Sequence, residues 1–148
     1  MFKVEYAYTA LSRPLEMSSE PNMTCYIDGF VLPVPRDQLD TYKAVAGKIA
    51  HIWKEHGALD YSEFVSDESS LDGTRSFLDF TDAKDDEAVI FGWVVFESRE
   101  ARDIANERVA ADPRMTELMK PLIDSSRPIF EAQRMAYGGF QPLVQISK

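Results

Sequence analysis

Residues 25–59 read CYIDGFVLPVPRDQLDTYKAVAGKIAHIWKEHGAL: one strand, a sharp turn, and one long amphipathic helix that stops at a glycine. Over Thr24 to Val34, Tyr26, Asp28, Phe30 and Leu32 alternate with Cys25, Ile27, Gly29 and Val31. Both sets are largely apolar, so both faces of this strand are expected to be covered. Pro33 and Pro35 are expected to end it, because proline brings no N–H to a ladder. In the helix, at about 100° per residue, Tyr42, Val45, Ile49, Ile52, Trp53 and His56 fall within an arc of about 100°. That is the stripe of a helix burying one side. Pro35 or Asp37 can start it, and Gly57 can stop it by adopting a left-handed conformation. About twenty helical residues span about 30 Å, close to the reach of a nine-residue strand at about 3.3 Å per residue. The two match in length, as a helix packed across a sheet requires.

The 148 residues suit one domain. The chain is 45% hydrophobic, with 9 Phe, 6 Tyr and 2 Trp, enough to fill a core. A formal net charge of -9 repels phosphate backbones and anionic lipid, so neither nucleic acid nor membrane is an expected partner. The single cysteine, Cys25, has no internal disulfide partner, which suits a reducing compartment. No stretch approaches the ~18 apolar residues of a membrane span, and no signal-peptide pattern opens the chain. A cytoplasmic location is expected.

Residues 1–22 read as an extension or linker, with the domain proper over 23–148. Downstream of the helix, Ala58 to Val65 suits a second strand and SDESSLDG a loop. Ser76 to Thr81 is expected as a short strand. Ala88 to Phe96, AVIFGWVVF, is the most hydrophobic run and reads as a central strand buried on both sides. Ser98 suits the N-cap of a helix bearing Ala101, Ile104, Ala105 and Val109 at helical spacing. Asp112 and Pro113 open a further short helix carrying Met115, Leu118 and Met119. Pro121 to Pro128 is expected as loop, and Gln133 to Phe140 as the last strand, with Gly138 and Gly139 allowing close backbone approach. The order βαββαβ is that of an α+β ferredoxin-like sandwich. Such a layout leaves one sheet face bare, and a second copy of the chain is the simplest cover.

These residues also resemble a family. YIDGF, VP before the long helix, KEHGAL at its end, FGW followed by SREARD, then DPRM and RMAYGGF together resemble the YbaA-like family, a bacterial domain of unknown function among the dimeric α/β barrels. The similarity runs from about Cys25 to Val144. It implies a homodimer of ferredoxin-like subunits whose sheets face each other, forming a dimeric α/β barrel. The wider superfamily includes cofactor-free monooxygenases, haem enzymes and ligand-sensing domains, so the fold leaves activity open. The chain departs from the family in the loop SSRPIFEAQRM, with Glu131 and Gln133 where aspartate and lysine are usual, and in residues 1–22.

Several side chains are candidates for chemistry. His56, in the apolar stripe beside Trp53, is a general base or else a partner of the negative helix end. His51 points away from it, so the two cannot share a metal. Asp28 and Arg134 interrupt apolar faces of the first and last strands and are expected to pair, or Arg134 holds a ligand carboxylate. Glu63 is a pocket base or a solvated strand residue. Tyr42, Trp53, Phe91 and Trp93 line a small-molecule cavity or simply form core. No nucleophile elbow, phosphate loop, zinc spacing or calcium loop is present, so neither metal nor cofactor is expected. The leading expectation is a homodimer that binds a small apolar or carboxylate-bearing metabolite between sheet and helices, near Trp53, His56 and Trp93. The alternatives are a cofactor-independent monooxygenase or isomerase using His56 or Glu63, and a structural or partner-binding dimer with no pocket.

Overall fold

A computed structural model describes residues 25–146; the expected extension over residues 1–22, and the start of the domain near Met23, lie outside the described residues. The order is β1 (Tyr26–Pro35), a 3-10 turn (Arg36–Gln38), α1 (Leu39–Glu55), β2 (Asp60–Val65), α2 (Phe77–Phe80), β3 (Glu87–Phe96), α3 (Arg99–Ala111), α4 (Arg114–Ile123), a 3-10 turn (Ala132–Arg134) and β4 (Ala136–Phe140). The four strands form one antiparallel sheet in the order β2-β3-β1-β4. This is the ferredoxin-like α+β arrangement expected from the βαββαβ order.

Period-two alternation divides the sheet into two faces of different character. The helices cover the face that carries Asp28, Phe30, Leu32 and Val34 of β1. Leu32, Val34 and Ile90 pack there with Tyr42, Val45 and Ile49 of α1 and Leu122 of α4. Val94 and Phe96 pack with Ala105 of α3. The buried stripe of α1 is Tyr42, Val45, Ile49 and Ile52, as its spacing requires, and Gly57 ends the chain's turn at a φ of +117°, the region glycine alone enters freely. The opposite face is only partly covered. Phe64, Phe91 and Phe140 are exposed on it, and Trp93 lies between Phe64 and Phe91 with ring centroids 5.1 and 5.8 Å away. The expectation that β1 and β3 are buried on both sides therefore does not hold within one chain.

Four further expectations are corrected. Pro33 does not end β1, which runs on to Pro35. Val89, opposite Pro33, directs its amide and carbonyl to Ser66 instead, and β4 pairs no further than Val31, so the missing proline N–H costs no ladder bond. Ser76 to Thr81 is a helical turn and not a strand, because the Ser76 hydroxyl accepts from the Asp79 amide at 3.0 Å and caps it. Pro121 lies inside α4, which continues to Ile123. Ala132–Arg134 form a 3-10 turn, so β4 begins at Ala136 and not at Gln133. The Ser98 cap of α3 is as expected, its hydroxyl accepting from the Ala101 amide at 3.0 Å. Ile104 on that helix is nevertheless exposed.

Asp28 is buried on β1, only 3% exposed, and its partner is Arg102 of α3 and not Arg134. Arg102 Nη1 donates to Asp28 Oδ1 at 2.7 Å while the guanidinium stacks over the Tyr26 ring, 4.8 Å from its centroid. Gly139 lets the strands close around this group, since a Cβ there would collide with the Tyr26 hydroxyl. Removing one member of a buried pair strands the other, which costs about 3–5 kcal/mol. Arg102→Met is therefore expected to lower unfolding free energy by about 3 kcal/mol in urea titrations; a variant as stable as the parent would show that Asp28 does not need the guanidinium.

Candidate functional site

Between the helix-covered sheet face and helices α1, α3 and α4 lies a cavity of about 510 Å³. Its walls are mostly hydrocarbon: Phe30 and Leu32 from β1, Ile49 and Trp53 from α1, Met115, Met119 and Leu122 from α4, and Phe130 and Met135 from the loop before β4. Its polar lining comes from Tyr42, Tyr61, Glu63, Asp28, Asn106 and Tyr137.

Glu63 is the centre of the polar lining. It sits on β2 opposite Gly92, on the face that looks toward α1. Gly92 makes room for it: an added Cβ would lie 2.5 Å from the Phe30 Cζ and 2.9 Å from the Glu63 Cγ. The Tyr42 hydroxyl donates a short hydrogen bond to Glu63 Oε1, and the Tyr61 hydroxyl donates to Oε2 at 3.0 Å. Burial pushes the Glu63 pKa above its ordinary value, and the two phenol donors only partly offset that. Both tyrosines are in turn pushed upward, first by burial and then by the glutamate charge, so they remain donors at any working pH. The carboxyl is held by two neutral hydroxyls, with no cation bonded to it among the described residues. Tyr42, Tyr61 and Glu63 also border a second hollow of about 410 Å³ between α1 and β2. The cluster is thus a partition reached from two sides.

The other candidates fall into different places. Tyr42 and Trp53 line the cavity, and Trp53 meets Phe96 edge-on with centroids 6.0 Å apart. His56 does not line it. Its Nε2 lies 2.8 Å from Asp112 Oδ2, tying the end of α1 to the start of α4. Asp112 is held well below the usual carboxylate range, first by Arg114 and then by His56, and Arg114 also bonds Glu55 at 2.5 Å. Arg134 lies outside the cavity too. Its Nη1 and Nη2 both donate to the buried Glu87 carboxylate at 2.7 Å, which anchors the loop carrying Phe130 and Met135. The expected pairing of Asp28 with Arg134 is therefore replaced by two separate pairs, Asp28 with Arg102 and Glu87 with Arg134. Trp93 and Phe91 point to the opposite sheet face, because they are odd-numbered on β3 while Val94 and Ile90 face the helices.

Three contributors to the site went unrecognised in the sequence: Tyr61, Asn106 and Tyr137. Tyr61 was readable in principle, since it is two residues from Glu63 and so shares its face. Tyr137 had the same kind of signal in β4, where it stands opposite Phe30. Asn106 lies four residues after Arg102 on α3, on the same side of the helix, but nothing in the sequence says which element that side meets. Among the described residues no cluster of three or more histidine, cysteine, aspartate or glutamate side chains is arranged to hold a metal, and no described helix is long and apolar enough to cross a membrane.

Comparison with known proteins places this geometry in context. The uncharacterized protein YbaA of Escherichia coli K12 is 38% identical over 119 residues, covering 80% of this chain and 97% of YbaA, and YbaA of Shigella flexneri matches to the same extent. Among solved structures, SnoaB, a cofactor-independent oxygenase from Streptomyces nogalater, superposes with a TM-score of 0.50 at 13% identity, covering 83% of this chain and 98% of that one. A monooxygenase from the ActVA-Orf6 gene of Streptomyces coelicolor, in complex with nanaomycin D, gives 0.51 at 18% identity, covering 88% and 99%. These two likenesses bear on the fold. The model of a family described as a protein of unknown function, DUF1428, matches residues 25–125, and with the YbaA similarity running across most of both chains, the protein belongs to the DUF1428 family.

Proposed function

We propose that the protein binds a small, mostly apolar molecule bearing a hydroxyl group, that Glu63 accepts the hydrogen bond from that hydroxyl, and that the working form is a homodimer. The observation that carries the reading is the Glu63 carboxyl, fixed by two tyrosine hydroxyls in the wall of an otherwise hydrocarbon-lined cavity. An ionised carboxylate has about four lone-pair sites, so acceptor capacity remains after both tyrosines have donated. Ligand sites are commonly built this way, with a few placed polar groups in an apolar enclosure. A carboxylate-bearing ligand fits less well, because the lining holds two acidic side chains and Arg134 is committed to Glu87.

A second reading is favoured by the raised pKa of Glu63. A carboxylate made more basic by burial is a better general base near neutral pH, and it could take a proton from a substrate O–H or an activated C–H without metal or cofactor. Two proteins of this fold are oxygenases by name, but one fold hosts many chemistries, so the reading rests on Glu63. His56 has no part in it, being bonded to Asp112 away from the cavity.

The homodimer is supported by the open sheet face, where Phe64, Phe91 and Phe140 are exposed and the exposed Phe77 of α2 packs against Phe91. A contiguous apolar surface of this kind usually marks an interaction site, and two-fold pairing of identical chains is the commonest way to cover one.

Three outcomes are expected. Small molecules released from natively purified protein and identified by mass spectrometry should include one that is depleted in Glu63→Gln, whose neutral amide is the poorer acceptor; the same content in both proteins would remove Glu63 from the site. Stability against urea should also carry the signature of a raised carboxyl. Below the ordinary glutamate value of 4.5 the group is protonated folded or unfolded. As pH rises from there through the higher folded value, the unfolded chain loses its proton first, so stability falls. Glu63→Gln should lack that component of the fall, and parallel pH curves for the two proteins would contradict the assignment. Sedimentation equilibrium should give twice the chain mass for the parent and the single-chain mass for Trp93→Glu, which places a charge on the open face; a parent that sediments as a single chain at micromolar concentration would end the dimer proposal.

A further inference from the structure

The cavity has a second polar end. Glu63, Gly92, Phe30 and Tyr137 stand in one row across the sheet, all on the helix-covered side, so that at about 4.8 Å between strands Glu63 and Tyr137 are about 14 Å apart at the backbone. At the Tyr137 end, Arg102 Nη1 donates to the Tyr137 hydroxyl at 3.0 Å and to Asp28 at 2.7 Å. Burial, and next the Asp28 carboxylate, raise the Tyr137 pKa, so these three groups form a closed set. Asn106 also lines the cavity and stands outside the hydrogen bonds of that set. Its carboxamide has two N–H donors, which suit a carbonyl oxygen. Hydrocarbon from Phe30 and the α4 methionines lines the space between the two ends.

We infer that the ligand is two-ended: a flat apolar body with a hydroxyl that donates to Glu63 at one end and a carbonyl oxygen that accepts from Asn106 at the other. This inference rests on the reading of the cavity as a ligand site. Asn106 is then a specificity-determining residue, selecting hydroxy-carbonyl compounds over simple phenols or simple ketones of the same size.

Titration calorimetry with three matched probes tests it: 6-acetyl-2-naphthol has both groups, 2-naphthol lacks the carbonyl and 2-acetylnaphthalene lacks the hydroxyl. One well-made hydrogen bond contributes about 1 kcal/mol, so the two-ended probe should bind about five- to tenfold tighter than either single-ended one. Asn106→Leu should erase its advantage over 2-naphthol, and so should Asn106→Asp, which keeps the side-chain shape but removes the donors; equal melting temperatures would exclude unfolding as the cause. If the probes bind but the advantage is absent, or survives in both variants, the two-ended inference is wrong and the cavity reading stands. If none of the three binds, the cavity reading fails and takes this inference with it.

Discussion

The pairing of β1 with β3 along the whole length of both strands, and with β4 along half of it, is the constraint on which the rest depends. Every second residue of β1 must then face the helices, and a slip of one residue would turn Asp28, Phe30, Leu32 and Val34 to the other side together. Gly92 helps hold the register. The Phe30 ring lies where a side chain at position 92 would stand, so a bulkier residue of β3 cannot take that place without displacing the ring. The same absence of a side chain gives Glu63 its space. Packing and site chemistry therefore meet at one glycine.

Charged residues around the cavity are handled in two ways. Asp28 with Arg102, Glu87 with Arg134 and Asp112 with His56 are each closed by a basic partner on a different element. Pairs of this kind add little net stability against a well-packed apolar alternative, but they fix which elements meet. They tie β1 to α3, the β4-proximal loop to β3, and α1 to α4. Glu63 is treated differently. Its partners are two neutral hydroxyls, which orient the carboxyl without supplying the opposite charge that would lower its pKa. Burial then dominates, and Glu63 keeps acceptor capacity and becomes more basic, whereas Glu87 and Asp112 are held below the ordinary carboxylate value. This contrast singles it out from the paired acids.

The corrected positions share a cause. The partner expected for Asp28 and Arg134 follows from the neighbouring first and last strands, and the cavity expected for His56 and Trp93 from local pattern, whereas the structure settles each by contacts distant in sequence. An apolar aromatic on a strand has two faces open to it, and local pattern does not say which is lined by helices; Trp93 went to the open side. An arginine near a predicted strand end can reach either of two carboxylates, and the turn at Ala132–Arg134 delivered it to Glu87. Ser76 to Thr81, expected as a short strand, is a helical turn because the Ser76 hydroxyl caps it.

The sequence alone determined the strand and helix periods, the central hydrophobic strand, the stop at Gly57, the Ser98 cap and hence the ferredoxin-like order, because these follow from interactions within a few residues of chain. It also identified Glu63, Tyr42 and Trp53 as candidates by type and face. Tertiary structure decided which of them share a cavity and which charges neutralise one another. Asp28 and Arg102 are separated by 74 residues and Glu87 and Arg134 by 47, and short-range periodicity holds no information on such distances. Only the sheet order brings those groups together, and only there does Glu63 emerge as the cavity-lining acid bonded to no cation among the described residues.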